Sequence, residues 1–323
     1  MPPALLAALA GGATAAAMYL TLLTGSTGGM VMVYLAPLPL FLAGLAFGPK
    51  TAAIAGGTAV VLVFGIGGGI VLPLTFLVFS VVPVLMVGRQ ALLSRRRQDG
   101  GVEWYPPGLL LLSLAGLGVA AVLAATVLAL VFGGDGGLRV VVRDLLAGNL
   151  AQLLAIPGDP AAADRGPEVA AAVATTIAQV FPGVVAVSWL LMVVTNGLLA
   201  QALLVRFNRL MRPMLRMTEL ELPGWMPLAL AVTLLGAMLL EGEIGFLAVN
   251  LAIVLALPFF FSGLAVVHAY AARRAAKVAF LVVFYLVLSF LAWPVVAVIG
   301  LGIIEQWAGL RGRIAATADR GEA

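Results

Sequence analysis

Long apolar runs separated by short polar segments recur along the whole chain. A helix that crosses a bilayer needs about 20 consecutive apolar residues. Nine runs reach or approach that length, at residues 4–23, 28–47, 51–64, 70–87, 108–132, 183–205, 226–240, 244–267 and 278–304. The pattern predicts an all-α fold, a polytopic transmembrane helical bundle of about nine spans.

Prolines interrupt several of these runs. Pro37 and Pro39 lie inside the second run, so we expect that helix to bend against its neighbours, which must satisfy the freed backbone groups. Pro182 is expected to divide a longer run into an outer helix, starting near residue 166, and a spanning helix. Pro294 breaks the last run, and a half-span at this point would return the tail to the side from which the run started.

Polarity divides the chain into four consecutive segments. They are a five-span region at 1–132, an external polar and helical insert at 133–181, a four-span region at 182–304, and a polar tail at 305–323 that is expected to fray. Inside the insert, residues 138–156 form a candidate helix whose polar residues are spread around the helical wheel. We therefore expect this helix to lie partly among other helices.

Composition and charge strengthen the membrane interpretation. Hydrophobic residues make up 63% of the chain and charged residues only 10%, whereas soluble domains carry about 25% charged residues. Twelve of the 18 lysines and arginines fall in the second, fourth, sixth and eighth loops between the runs. Because basic loops stay in the cytoplasm, we expect a multi-pass protein of the bacterial inner membrane with its N-terminus inside. The partner is then the lipid bilayer, not nucleic acid.

Motifs for catalysis, metal binding and nucleotide binding are absent from the sequence. The single histidine, His268, cannot form a metal site by itself. The predicted spans hold charged side chains only near their ends, which disfavours an ion-coupled carrier. We expect no catalytic residue, no metal and no cofactor, and hence no enzyme.

Neutral polar side chains in the spans are the remaining candidates for binding. Asn196 and Asn250 cannot face lipid cheaply, so each either bonds a neighbouring helix or contacts a ligand. Asn250 lies near the external end of its run, close in sequence to Glu241 and Glu243. The predicted ligand contacts are Tyr34, Trp189, Asn250, Glu241 and Glu243.

The first run carries small residues at four-residue spacing, including Ala8, Gly12 and Ala16. Small residues on one face let two helices approach closely in lipid. The stripe predicts either packing within the protein or docking to a partner subunit.

The segment Tyr34-Leu35-Ala36-Pro37-Leu38-Pro39, followed by Phe47-Gly48-Pro49-Lys50 and the glycine turn at 65–69, resembles the substrate-binding subunits of energy-coupling-factor vitamin transporters. The whole chain looks similar to the YybS-like family of bacterial membrane proteins, which is distantly similar to those subunits. The resemblance implies a six-helix ligand-binding core, a docking face at Ala8, Gly12 and Ala16, and energy supplied by a separate ATPase.

Two functions follow as hypotheses. The first is a transporter-like membrane subunit that binds a small solute and relies on partner subunits for energy. The alternative is a non-transport scaffold that helps assemble a cell-envelope complex, for which the rod-shape-determining membrane subunits are a distant analogue.

Overall fold

The computed structural model describes residues 1–133, 136–154, 160–215 and 219–319. Almost all of them are helical, and one short antiparallel hairpin joins β1 (Ser94–Arg96) to β2 (Val102–Trp104). The helices are α1 (Pro3–Leu20), α2 (Thr27–Leu35), α3 (Leu38–Phe47), α4 (Pro49–Gly67), α5 (Val71–Phe76), α6 (Val82–Ala91), α7 (Pro107–Phe132), α8 (Gly137–Leu154), α9 (Pro160–Ala178), α10 (Phe181–Arg206), α11 (Met226–Leu239), α12 (Gly242–Ala271), α13 (Lys277–Phe290), α14 (Trp293–Ala308) and α15 (Leu310–Asp319).

The predicted helical membrane bundle is confirmed. Within the described residues, seven helical segments are long and apolar enough to cross a membrane, and a bent pair raises that number to eight if it counts as one span. The seven correspond to the first six predicted spans and the eighth. The predicted seventh span is α11, a shorter apolar helix of 14 residues.

The last predicted span is broken into two helices, as expected from Pro294. α13 and α14 meet at a bend of 117°. Their 14 and 16 residues give lengths of about 21 and 24 Å at 1.5 Å per residue, less than the ~30 Å hydrocarbon core. Pro294 is the second residue of α14 and has no N–H to continue the hydrogen bonds of α13, so the two helices do not form one continuous span. This geometry fits a broken span or a re-entrant loop.

Most of the described tail is helical. α15 follows α14 directly, and Glu305 accepts hydrogen bonds from the Arg311 backbone N–H at 3.2 Å and from Arg311 Nε at 2.7 Å. This carboxylate caps the new helix and forms an ion pair that is mostly buried. Fraying of the tail stays a prediction.

Proline and glycine positions account for most helix boundaries. The second span breaks between α2 and α3 at Pro37, and α10 begins beside Pro182, both as predicted. α4 continues to Gly67, three residues beyond the predicted end. The helix expected to start at residue 166 instead begins at Pro160, where a proline costs no hydrogen bond, and carries Pro167 inside it.

The chain forms two compact units. The first comprises Met1–Leu114 with Trp189–Glu221, and the second comprises Ala115–Ser188 with Leu222–Ala323. This division differs from the four consecutive segments predicted from polarity, because α7 and α10 each contribute to both units.

In the first unit, α1 packs tightly on α4. Ala8 and Ala16 are almost completely buried. A side chain at Gly12 would bring its Cβ within 2.4 Å of the Ala55 carbonyl oxygen. Small residues therefore set the distance between these two helices.

In the second unit, α12 crosses α14 at two glycines. A Cβ at Gly263 would lie 1.9 Å from the Val298 oxygen, and one at Gly302 would lie 1.9 Å from the Phe259 oxygen. The two backbones are thus in direct contact. The unit also buries Leu138 of α8 in a cluster with further apolar residues, namely Ala129, Val142, Ala178 and Phe246. α8 lies among other helices, as predicted.

Candidate functional site

Asn250 is fully buried in α12 and joins that helix to the start of α10. Its Oδ1 accepts from the Gly183 backbone N–H at 2.7 Å, and its Nδ2 donates to the Gln179 oxygen at 3.0 Å and to the Phe246 oxygen at 2.8 Å. In an uninterrupted helix, Gly183 N–H would bond Gln179 O directly. The Asn250 amide thus bridges the two backbone groups at the break between α9 and α10.

Tyr34 contributes its backbone carbonyl, not its side chain, to a second hydrogen-bonded helix break. Asn196, fully buried in α10, donates from Nδ2 to the Tyr34 oxygen at 2.8 Å and to the Met192 oxygen at 2.8 Å. The Tyr34 carbonyl lies just before the break between α2 and α3. The Tyr34 side chain itself is 39% exposed.

Trp189 of α10 donates a hydrogen bond at a third irregularity in a predicted span. A π-helical turn, Leu77–Val81, joins α5 to α6. The indole Nε1 of Trp189 donates to the Phe79 oxygen at 2.7 Å, and the two rings meet edge to face. Pro83 lies four residues after Phe79 and has no N–H to offer this carbonyl.

Three of the five predicted ligand contacts thus lie at helix breaks. The Asn250 and Trp189 side chains satisfy backbone polar groups that such a break would leave without a partner in an apolar environment, whereas Tyr34 contributes a backbone carbonyl that Asn196 satisfies. Interhelical hydrogen bonding, the alternative considered from the sequence for the two asparagines, is what the structure places there. A ligand-binding role for these three residues stays a prediction.

Glu243 has different surroundings. It lies in the first turn of α12, and its side chain is 33% exposed. It lines a cavity of about 520 Å³ with Leu130, Gly136, Gly137, Arg139, Val140 and Gly242. Its Oε2 atom is buried and has no hydrogen-bond partner among the described residues. Glu241 is exposed and does not line this cavity.

Arg139 of α8 is the partner that the sequence did not single out as a site residue. Its Nε lies 3.7 Å from Glu243 Oε1, so the two charges attract each other without forming a hydrogen bond. Gly137 has φ +63°, and a Cβ there would lie 2.6 Å from Glu243 Oε2. The glycine pair before Arg139, and the placement of Arg139 and Glu243 on the same predicted side, were the available signals.

The stripe at Ala8, Gly12 and Ala16 is occupied by α4. A docking partner would reach these residues only after α1 had separated from α4. Packing within the chain is therefore the use that the structure makes of the stripe, and docking stays a prediction.

Two of the basic loops meet in the first unit. Arg212, only 6% exposed, donates to the Ala91 oxygen at 2.8 Å and to the Tyr105 oxygen at 3.3 Å. It therefore satisfies the carboxyl end of α6, where a cation is favoured. Burial lowers the pKa of Arg212, an effect that Glu219 opposes.

The neighbouring hairpin carries a second charged pair. Arg95 donates to Glu103 at 2.9 Å, and Arg97 lies 3.6 Å from the same carboxylate oxygen. Hydrogen bonding and attraction from Arg95 hold the pKa of Glu103 below its ordinary value, with a further contribution from Arg97. The pair links the two strands of the hairpin and leaves the carboxylate charged at neutral pH.

His268 is partly buried, and each of its ring nitrogens lies near a polar atom. Nδ1 lies 2.9 Å from the Leu264 oxygen, which can only accept, so Nδ1 carries a proton. Nε2 then faces the Tyr285 hydroxyl at 3.4 Å. These contacts link α12 to α13.

Comparison with known proteins gives one match. A family model described as "Predicted membrane protein (DUF2232)" matches residues 13–305. Curated proteins and solved structures provide no match to the chain.

Proposed function

We propose, from the premise that the chain belongs to the DUF2232 family of predicted membrane proteins, that it is a transporter-like membrane subunit that binds a small solute. It hydrolyses nothing itself and depends on partner subunits for energy. The resemblance to energy-coupling-factor substrate-binding subunits and to the YybS-like family supports this proposal. The loop arginines support a place in the bacterial inner membrane with the N-terminus inside.

The observation that carries the proposal is the cavity at Glu243. Its volume of about 520 Å³ lies in the range of small-molecule sites, ~300–1,000 Å³. The Glu243 side chain lines it, and one oxygen of this carboxylate is buried without a partner in the described part of the chain. A buried polar atom without a partner is costly unless a ligand or water completes it.

Mass spectrometry of solutes that co-purify with the protein in mild detergent tests this proposal. We expect a stoichiometric solute that is retained by the wild type and lost in Glu243→Gln. Asp144→Asn is the matched control, because Asp144 is an exposed acid on α8 that pairs with Arg143 outside the cavity. A solute retained equally by all three proteins, or no retained solute, would count against binding at Glu243.

The scaffold hypothesis is favoured by a separate surface on α4. Ala53, Gly57, Val61 and Gly65 are exposed at four-residue spacing. Nothing lies within 4 Å of a Cβ placed at Gly57 or Gly65. An exposed small-residue face of this kind suits close approach by a helix of another protein.

A photo-reactive side chain introduced at position 57 tests the scaffold hypothesis in intact membranes. The same probe at Gly116, an exposed glycine of α7 that also faces open space, is the control. One envelope protein cross-linked reproducibly at position 57 and not at 116 would favour the scaffold. Equal, diffuse labelling at both positions would indicate contact with lipid alone.

A further inference from the structure

We propose that the Glu243 cavity recognises a zwitterionic solute of the amino-acid class, with its ammonium group at Glu243 and its carboxylate at Arg139. This inference rests on the proposed function and names the class of solute.

The two charged side chains are close but incompletely engaged. Arg139 Nε and Glu243 Oε1 are 3.7 Å apart, and the side chains are 41% and 33% exposed. In the described part of the chain, this ion pair is the only interaction that the structure records for the Arg139 side chain. Exposed ion pairs contribute little to stability, so a ligand that separates this pair gives up little.

Charge balance selects the class of ligand. Among the described residues, the lining contains one acid and one base, whose charges cancel. A simple amine would satisfy Glu243 but would meet the repulsion of Arg139, and a simple carboxylate would meet that of Glu243. A zwitterion places a group of opposite charge beside each of the two side chains and leaves the net charge of the cavity unchanged.

The rest of the lining agrees with a small ligand. Leu130 and Val140 supply apolar surface, and the other lining residues are glycines. Gly137 and Gly242 have φ of +63° and +67°, a backbone region in which side chains are rare. A Cβ at Gly137 would also press on the Glu243 carboxylate. The glycines thus keep the backbone close to the charged pair and leave room for a ligand head group.

Equilibrium binding to the full-length protein in lipid nanodiscs tests the inference. The probes are the common amino acids, measured singly, and, for each one that binds, its decarboxylated amine and its deaminated acid. We expect an amino acid to bind at least about tenfold more tightly than either analogue. Glu243→Gln and Arg139→Gln should each weaken its binding by a similar factor, whereas Asp144→Asn and Arg143→Gln should not.

The competing outcomes are distinct. If the amine binds as well as the amino acid, and Arg139→Gln changes nothing, the zwitterion assignment is wrong while solute binding at Glu243 stands. If no amino acid binds, the inference fails, and the co-purified solutes decide separately whether the proposed function fails with it. The comparison of analogues on the wild-type protein holds even if a variant does not fold.

Discussion

Replacing Asn250 by leucine isolates the contribution of a single side-chain amide to a helix break. Leucine has a similar size and no polar atoms. The substitution removes the bridge between Gly183 N–H and Gln179 O, which the structure places at 2.7 and 3.0 Å from the amide. The third bond, to Phe246 within α12, is also lost.

The expected cost depends on whether the two backbone groups find each other. Each buried group left without a partner costs about 1–3 kcal/mol, or roughly 2–6 kcal/mol for both. Hydrogen bonds between membrane helices average about 0.6 kcal/mol when other partners are within reach, or roughly 1.2 kcal/mol for two. A Cβ at Gly183 would lie 2.9 Å from the Asn250 backbone oxygen, so α10 has little room to shift. We therefore expect a loss of at least about 2 kcal/mol.

Reversible unfolding in mixed micelles, followed by circular dichroism, measures this loss. Asn149→Leu is the control, because Asn149 is exposed and donates to the Leu145 oxygen within its own helix, α8. Asn250→Asp should fall between Asn250→Leu and the wild type if it retains the acceptor for Gly183. An Asn250→Leu protein within about 0.5 kcal/mol of the wild type, the ordinary range for surface substitutions, would refute the bridging role.

Three further substitutions test other parts of the fold. Gly302→Ala should cost about 1–3 kcal/mol of unfolding free energy by overpacking the crossing with α12. Gly300→Ala should be neutral, because a Cβ at Gly300 faces open space. Equal effects of the two substitutions would contradict the close crossing. Trp189→Phe keeps an aromatic ring but removes the indole N–H that donates to the Phe79 carbonyl in the π-helical turn. The free energy of unfolding should therefore fall by about 1–3 kcal/mol. An unchanged free energy of unfolding would indicate that another group donates to this carbonyl. The pKa of Glu103 is depressed, so the pairing of Glu103 with Arg95 stabilises the hairpin at neutral pH, and this stabilisation is lost as pH falls through that pKa. Arg95→Gln should raise the pKa of Glu103 toward its ordinary value in a carbon-13 NMR titration. An unchanged pKa would exclude Arg95 as the main cause of the depression.

The helices themselves were predictable because their signals are local. Apolar runs, prolines and glycines located eight of the nine predicted spans as helical segments of matching position, and the breaks at Pro37 and Pro182 followed from the missing N–H of proline. The break in the last run was predicted from Pro294, but its angle was not, because hydropathy averages over residues and carries no information on the direction of the chain. Apolar residues on both sides of Pro294 look the same whether the chain continues or turns by 117°.

The candidate site was predictable only in part. Glu243 could be chosen from its position at a span end, but its neighbour Arg139 is about 100 residues away in sequence, and no periodicity connects them. The roles of Asn250 and Trp189 were ambiguous for a related reason. A polar side chain in a span must find a partner, and the sequence alone does not say whether that partner is a ligand or a distant backbone group.

The contacts at the helix breaks also constrain how the protein is made. The Tyr34 carbonyl receives its hydrogen bond from a side chain 162 residues further along the chain, and the Phe79 carbonyl from one 110 residues further along. During synthesis, the early helices enter the bilayer before α10 exists. Until α10 is inserted, the backbone carbonyls at these breaks must form hydrogen bonds with water, lipid head groups or an insertase instead. We therefore expect the N-terminal half to mature when α10 inserts, and ribosome-bound chains that end before residue 189 should remain sensitive to proteases that chains including α10 resist.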